Sequence, residues 1–168
     1  DLIFTPNAPF YLDYAQDKKS VINIYNYEPM KEVPDSDKQH LVKGVQGNIW
    51  CEWIPTRERM HYMAAPRMLA IAELGWSAND RKDWNCFQAR MADQFSRLNV
   101  MDVQYRIPDL EGFMKNNVFI GEKRVEITCL DPTASIHYTT DGTTPTLESP
   151  KYDGNLVLTE TTDLTLRV

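Results

Sequence analysis

The sequence is poor in cysteine, and the three cysteines that it has form no recognisable site. Cys51, Cys86 and Cys129 lie far apart and include no C-x-x-C pair, which disfavours both a zinc site and a disulfide framework. Because free cysteine is among the most buried residue types, we expect three buried thiols. We expect neither a metal ion nor a cofactor.

Long apolar runs and an excess of positive charge are also missing. No stretch approaches the roughly 18 consecutive apolar residues of a membrane span, so none is expected. The 18 Lys and Arg against 24 Asp and Glu give a formal charge of -6, which argues against a nucleic-acid partner and is compatible with a neutral ligand such as a sugar. No signal peptide is present, but the sequence opens at Asp1 within a strand-like run, and we expect the natural N-terminus to lie upstream.

The composition is that of a globular protein, with 42% apolar and 25% charged residues. A length of 168 residues could form one ordinary domain or two small ones. The apolar residues follow a helical period in the first part of the chain and alternate in the manner of strands in the second. The sequence therefore predicts an α/β part in residues 1–115 followed by an all-β part in residues 116–168.

Two buried parallel strands are predicted in the first part. The first covers residues 2–5 and is closed by Pro6, and the second runs from Val42 to Trp50. Between them, residues 18–34 show no clear period, and residues 35–40 are interpreted as a solvated connection.

Two helices are predicted after the second strand. The first runs from Arg57 to Trp76, with a kink or a new start at Pro66 because proline removes a backbone donor. The second runs from about Asp83 to Asn99. The apolar residues at helical spacing are Met63, Leu69, Ala72 and Trp76 in the first helix and Trp84, Phe87, Met91, Phe95 and Leu98 in the second.

Short alternating segments separated by turn residues predict a small β-sandwich in the second part. The turns are marked by Asp131-Pro132 and Asp141-Gly142. The sequence stops within the last of these segments, so we expect the sandwich to be incomplete in this chain. The predicted strands are residues 125–129, 135–139, 155–158 and 164–168.

A pair of chemically suited side chains follows each strand of the first part. Tyr11 and Asp13 lie in an extended segment, where alternate side chains point the same way, and together they can donate and accept hydrogen bonds to a sugar. Trp50 offers a flat apolar wall, and Glu52, two residues further, offers a charged acceptor. Substrates bind at the C-terminal ends of the strands of an α/β barrel, so these four residues are candidate binding residues.

Each pair also has a purely structural interpretation. On sequence alone, a Tyr and an Asp beside prolines more often form a turn with a half-buried ring. A single tryptophan such as Trp50 more often belongs to the core. Arg67 and Glu73 lie six residues apart and share no helical face, so we interpret both as structural, each paired with a group outside the helix.

The segments around these residues resemble a known family. Residues 44–52 (GVQGNIWCE) and 66–77 (PRMLAIAELGWS) fit the patterns G-x-Q-x-x-x-W-x-E and P-R-x-x-A-x-A-E-x-x-W-S, which are typical of the end of the catalytic barrel in family 20 glycoside hydrolases, the β-N-acetylhexosaminidases. Residues 138–152 are similar to the C-terminal sandwich domain of many bacterial chitobiases and hexosaminidases. The resemblance implies the last βα units of a (β/α)8 TIM barrel followed by a partial β-sandwich.

The resemblance also implies a role for each candidate residue. Tyr11 would hydrogen-bond the carbonyl oxygen of the substrate's N-acetyl group, and Asp13 would bind a sugar hydroxyl. Trp50 would line the acetamido pocket, and Glu52 would hold the non-reacting hydroxyls of the terminal sugar. The implied ligands are glycans with terminal N-acetylglucosamine or N-acetylgalactosamine, and their usual location implies a secreted or periplasmic protein.

The reaction that the resemblance implies is exo-acting, retaining and substrate-assisted, since the N-acetyl oxygen of the substrate attacks the anomeric carbon. An adjacent Asp-Glu pair supplies the general acid and orients the acetamido group, and the resemblance places that pair upstream of Asp1. We therefore expect residues 1–168 to hold no catalytic residue and to be inactive alone. Part of a barrel leaves strand edges and apolar faces uncovered, so this piece either belongs to a longer folded chain or covers these surfaces by self-association.

Two other functions stay open on the sequence. Residues 117–168 could form a non-catalytic carbohydrate-binding or spacer module that grips a glycan through Tyr138 and Tyr152. The first part could also belong to another TIM-barrel hydrolase, because a shared fold says little about function.

Overall fold

The first unit of the structure is organised on two short parallel strands. Strand β1 (Leu2–Phe4) pairs with strand β2 (Val42–Val45), and the long crossover between them is what parallel pairing requires. The computed structural model describes all 168 residues, which form two units, residues 1–106 and residues 107–168.

Strand β2 is shorter than predicted, because it ends at Val45 and not at Trp50. Its partner β1 stops before Pro6, and Gln46 N–H makes the last bond between the strands, to Phe4 O at 2.9 Å. Beyond that point β2 has no continuous neighbour in this unit, so the ladder cannot extend. Further along the chain, the two segments pair again at a single parallel bridge between Tyr11 and Asn48.

The crossover contains short helices that the sequence pattern does not reveal. Helix α1 (Asn7–Phe10) is an irregular turn, and helix α2 (Ser20–Tyr25) has six residues in a stretch predicted to lack a regular element. A helical period cannot be recognised in fewer than two turns, which explains why α2 is missed. Short 3-10 helices cover Pro29–Glu32, Ser36–Leu41, Cys51–Trp53 and Asn79–Arg81.

The predicted long helix is in fact two, α3 (Arg57–Ala64) and α4 (Arg67–Trp76), which confirms the predicted new start at Pro66. The predicted apolar face is wrong for α4, because Ala72 and Trp76 are exposed. The break resets the helical phase, so a face cannot be extrapolated from α3 into α4. Helix α4 packs mainly against α2. Its buried residues are Arg67, Ala70, Ile71 and Leu74.

Helix α5 (Trp84–Val100) carries the apolar stripe that its sequence predicts. Phe87, Met91 and Phe95 are buried along one side of the helix. The ring of Tyr25 in α2 stacks on Phe87 with 5.0 Å between the centroids. This stripe therefore joins α5 to the crossover.

The prediction of three buried thiols is wrong. Cys51 and Cys86 are exposed, and Cys129 is half-buried. On α5 the buried neighbour of Cys86 is Phe87, and adjacent residues of a helix point in directions about 100° apart, so the thiol falls outside the stripe. Cys51 begins an exposed 3-10 turn.

The second unit contains two antiparallel sheets of two strands each. Strand β3 (Lys123–Arg124) pairs with β5 (Val157–Leu158), and β4 (His137–Thr139) pairs with β6 (Thr165–Arg167). The strands are shorter than the sequence predicts. The buried core of the second unit is formed by Val125, Ile127 and Ile136.

Residues 125–129 alternate between the interior and solvent as predicted, but they form only one bridge, from Thr128 to Glu111. Each of these two residues donates its N–H to the carbonyl oxygen of the other at 2.9 Å. This pairing attaches residues 107–115 to the second unit, whereas the sequence pattern assigns them to the first part. In neither unit does a helix have the length and apolar character needed to cross a membrane.

Candidate functional site

A parallel bridge between Tyr11 and Asn48 brings the two predicted clusters side by side. Leu12 N–H donates to Asn48 O at 2.6 Å, and Asn48 N–H donates to Phe10 O at 2.8 Å. These bonds continue the pairing of β1 and β2 past the ends of the strands. The segment with Tyr11 therefore runs next to the segment that leads to Trp50.

The rings of Tyr11, Tyr14 and Trp50 form a contiguous group. The centroids of Tyr11 and Trp50 are 6.1 Å apart with an interplanar angle of 62°, and those of Tyr11 and Tyr14 are 5.7 Å apart. Trp50 is 49% exposed, so in this chain it is not a core residue. An accessible indole beside a phenol offers a sugar both an apolar wall and a hydroxyl group.

Asp13 lies deeper than the aromatic residues. Only 7% of its surface is exposed, and its Oδ1 has no hydrogen-bond partner. Buried polar atoms are normally hydrogen-bonded, and leaving one unpaired is costly. A ligand hydroxyl that reached Oδ1 would satisfy this oxygen.

Arg67 is buried behind the same segment. Its Nη2 donates to Leu12 O and to Met63 O, both at 2.6 Å, and its Nε donates to Met63 O at 3.1 Å. Burial lowers the pKa of the guanidinium to about 10, while the nearby charge of Asp13 acts in the opposite direction. Arg67 is therefore a cation at neutral pH despite its burial.

Glu52 follows Trp50 by two residues and has no polar contact with this group. It belongs to the exposed turn Cys51–Trp53, and its carboxylate makes no hydrogen bond or ion pair with Tyr11 or Asp13. Trp53, at the end of the turn, is 69% exposed. The structure thus joins Tyr11 to Trp50 by ring contact, with Asp13 two residues along the same segment, and leaves Glu52 on the neighbouring turn.

Sequence reasoning misses Asn48, which holds the strand ends together. Besides its backbone bonds, its Nδ2 donates to Thr5 Oγ1 and its Oδ1 accepts from Gln46 Nε2 at 2.7 Å. The preceding Gly47 is a signal in the sequence, since a glycine can mark a close approach of the backbone to a neighbouring element. In the structure, a Cβ on Gly47 would stand 2.5 Å from Ile71 Cδ1.

The prediction that Arg67 and Glu73 pair outside their helix is confirmed. Arg67 reaches Leu12 O, as described above, and Glu73 Oε1 accepts from Arg90 Nη2 of α5 at 2.6 Å. The sequence did not indicate that the partner of Arg67 lies between Tyr11 and Asp13. Nothing in its local pattern carries that information.

One of the two tyrosines suggested as sugar contacts in the second unit makes hydrogen bonds within that unit. The Tyr152 hydroxyl donates to Val125 O at 2.8 Å and accepts from Ile127 N–H at 3.1 Å. Tyr138 is half-buried within β4. Because both hydrogen bonds of Tyr152 lie inside the unit, its hydroxyl stabilises the core. The carbohydrate-binding alternative therefore has less support from this residue.

Two family models match the chain. One is described as "Glycosyl hydrolase family 20, catalytic domain" and matches residues 1–79, which include all four candidate binding residues. The other is described as "Chitobiase/beta-hexosaminidase C-terminal domain" and matches residues 114–168.

The curated relatives carry the same kind of name. A "Beta-hexosaminidase" from Porphyromonas gingivalis is 34% identical over 183 residues, which is 99% of this chain and 23% of the relative. A "Beta-hexosaminidase" from Vibrio furnissii is 35% identical over 88 residues, 45% of this chain and 14% of the relative. The chain thus spans about a quarter or less of the length of these relatives.

Solved structures are similar to part of this chain. A GH20 β-N-acetylhexosaminidase from Streptomyces coelicolor A3(2) has a TM-score of 0.56 and 28% identity, over 62% of this chain and 23% of its own. A GH20 exo-β-N-acetylglucosaminidase from Vibrio harveyi, in complex with N-acetylglucosamine, has a TM-score of 0.53 and 33% identity, over 60% of this chain and 18% of its own.

Proposed function

We propose, from the premise that residues 1–79 belong to the catalytic domain of glycosyl hydrolase family 20, that this chain is part of an exo-β-N-acetylhexosaminidase. The longer protein removes terminal β-linked N-acetylglucosamine or N-acetylgalactosamine from glycans. The reaction retains configuration, and the N-acetyl oxygen of the substrate attacks the anomeric carbon. Relatives named β-hexosaminidase and the neighbour that binds N-acetylglucosamine support the proposal.

The observation that carries the proposal is the contact of Trp50 with Tyr11, which lies two residues before Asp13, whose buried Oδ1 has no hydrogen-bond partner. In the proposed complex, the indole covers the methyl group of the acetamide, and the phenol donates to its carbonyl oxygen. Asp13 Oδ1 accepts one sugar hydroxyl. Glu52, on the neighbouring turn, accepts further hydroxyls of the terminal sugar.

Residues 1–168 are proposed to bind the sugar without cleaving it. The sequence contains no adjacent Asp-Glu pair that could protonate the leaving oxygen and orient the acetamide. Glu52 belongs to a binding motif and is not assigned that role. The architecture that goes with this proposal is the last βα units of a (β/α)8 barrel, residues 1–115, and part of a β-sandwich, residues 116–168, in a secreted or periplasmic protein.

The experiment that tests this function measures ligand-induced thermal stabilisation of the longer protein. The ligand is N-acetylglucosamine-thiazoline, a mimic of the cyclised intermediate. At a hundredfold its dissociation constant, such a ligand stabilises the wild type by about 2.7 kcal/mol. Tyr11→Phe removes one hydrogen bond to the acetamide, and we expect it to reduce this stabilisation by about 1 kcal/mol.

Tyr138→Phe is the matched control, because it removes the same group from the second unit. We expect it to keep the full stabilisation. If Tyr138→Phe loses the stabilisation while Tyr11→Phe keeps it, the sugar binds to the second unit and the carbohydrate-binding module is the better description. If the thiazoline stabilises neither variant nor the wild type, the cleft is not an N-acetylhexosamine site.

A further inference from the structure

Arg67 is a charged residue in the buried face of α4, and only 3% of its surface is exposed. Burying a guanidinium is costly unless it is hydrogen-bonded and lies near an opposite charge. The other buried residues of α4 are apolar, as expected for a helix that packs on a neighbour. The buried charge therefore calls for a reason beyond packing.

The guanidinium connects two elements at the site. Its Nη2 donates to Leu12 O at 2.6 Å, and its Nε and Nη2 also donate to Met63 O in the last turn of α3. Arg67 thus ties the segment that carries Tyr11 and Asp13 to the junction of α3 and α4.

Leu12 is the residue between the two proposed sugar contacts, Tyr11 and Asp13. Its N–H is bonded to Asn48 O and its carbonyl oxygen to Arg67, both at 2.6 Å. Both polar groups of Leu12 are therefore held. The extended segment predicted for Tyr11 and Asp13 is instead a turn at Leu12 and Asp13, with Tyr14 N–H directed at Tyr11 O at 3.4 Å. Because the peptide of Leu12 joins its two neighbours in this turn, holding it restrains the backbone from which both of their side chains project.

Arg67 also places a positive charge near Asp13 without occupying its free oxygen. The attraction between the two side chains opposes the effect of burial on the pKa of Arg67. The same attraction reduces the cost of a carboxylate that is only 7% exposed. Asp13 Oδ1 nevertheless has no hydrogen-bond partner, and because almost none of its surface is accessible, a ligand reaches it only when the side chains that cover it move.

We propose that Arg67 is a positioning residue for sugar binding. It holds the Leu12 peptide and compensates the charge of Asp13, so that Oδ1 is oriented to accept a sugar hydroxyl. This inference rests on the proposed function, because it assigns Arg67 a part in the same site.

The test compares Arg67→Met and Arg67→Lys in the longer protein, assayed with a chromogenic N-acetylglucosaminide. Arg67→Met removes the charge and the bonds to both carbonyl groups, and we expect KM to rise about tenfold or more. We expect kcat, expressed per folded enzyme, to change less than about threefold. Arg67→Lys keeps the charge and one donor, so it should restore part of the affinity.

A double-mutant cycle with Asp13→Asn separates positioning from general destabilisation. Because Arg67 acts through Asp13, Arg67→Met should raise KM much less in the Asp13→Asn background than in the wild type. A purely structural Arg67 would lower the thermal midpoint and the folded fraction but leave KM of the folded enzyme unchanged. That result, or independent effects of the two substitutions on KM, overturns the inference.

Arg90→Met is the matched control. Arg90 is a half-exposed cation of α5, and it pairs with Glu73, which lies on the same helix as Arg67. The Arg90→Met substitution should leave KM unchanged. If Arg67→Met does not fold, Arg67→Lys decides, and a wild-type KM in that variant overturns the inference.

Hydrogen exchange gives a readout that does not depend on the reaction. The backbone amides of Leu12 and Asn48 should exchange faster in Arg67→Lys than in the wild type, while amides in the middle of α5 stay unchanged. Unchanged exchange at Leu12 contradicts the positioning role. If the wild type shows no turnover but the exchange result is as expected, the proposed function is wrong, whereas the restraint of the Leu12 backbone by Arg67 is still supported.

Discussion

At the scale of single residues, Gly47 marks a close approach between the strand end and helix α4. A Cβ at this position would stand 2.5 Å from Ile71 Cδ1 and 3.4 Å from Leu12 Cδ1. Gly47 also precedes Asn48, which forms the bridge to Tyr11. A side chain at position 47 therefore requires the end of the Ile71 side chain to move, next to the bridge that supports the site.

Gly47→Ala is expected to lower the free energy of unfolding by about 1–3 kcal/mol, because the added methyl group overpacks the contact with Ile71. Urea unfolding of the longer protein measures the change. Adding Ile71→Val removes the clashing Cδ1, so the double variant should be less destabilised than the sum of the single ones.

Gly75→Ala is the control for Gly47→Ala. Its Cβ would lie 3.8 Å from Val45 Cγ2, an ordinary contact, and the residue lies within α4. Alanine is favoured over glycine in a helix by about 0.5–1 kcal/mol, so no loss of stability is expected. Equal losses at both glycines would contradict the role given to the contact with Ile71.

At the scale of elements, the start of α5 is set by a side-chain cap. Asp83 accepts the backbone N–H of Cys86 at 2.7 Å. This hydrogen bond to the backbone is the main reason that the pKa of Asp83 is lowered. The cap therefore requires an ionised carboxylate to be at full strength.

Asp83→Ala is expected to lower the thermal midpoint, and the loss should depend on pH. Because the pKa of Asp83 is lower in the folded than in the unfolded chain, its contribution is complete above the unfolded value of about 3.9 and is lost as the pH falls through the folded value. The midpoints of wild type and variant should therefore differ at pH 7 and converge as the pH falls below the lowered pKa of Asp83 in the folded chain. Asp83→Asn should retain much of the cap. A difference that stays constant over this range would contradict the charge-dependent part of the cap.

The elements also differ in how far their sequences predict them. Helix α5 and the start of α4 after Pro66 follow from a long apolar period and from the chemistry of proline, both of which are local. Helix α2 is too short to show a period, and the length of β2 depends on where its partner strand ends.

At the scale of the whole molecule, β1 carries exposed apolar side chains. Leu2 is 45% exposed and Ile3 is 59% exposed, and β1 pairs with β2 alone. Parallel sheets are normally covered on both faces, and an open apolar strand is a template for association.

Residues 1–168 prepared alone are therefore expected to form oligomers whose mass rises with concentration, as measured by light scattering. Ile3→Lys should lower the mean mass, because a charge on an exposed strand disfavours pairing. Val118→Lys, at a fully exposed apolar residue outside the sheets, is the control and should have no comparable effect. A wild-type chain that stays monomeric over the whole range would contradict the expectation.

The sequence by itself determined the family, through two motifs whose residues are neighbours in the chain, and with it the four candidate binding residues. It also determined the helical stripe of α5, because a period of 3.6 needs no knowledge of the partner. Tertiary structure alone decided which of these residues meet. Tyr11 contacts Trp50 through a bridge at Asn48, and Arg67 reaches Leu12 across 55 positions. The burial of Asp13 and Arg67 and the exposure of Trp76 likewise depend on contacts between distant segments, which a local pattern cannot encode.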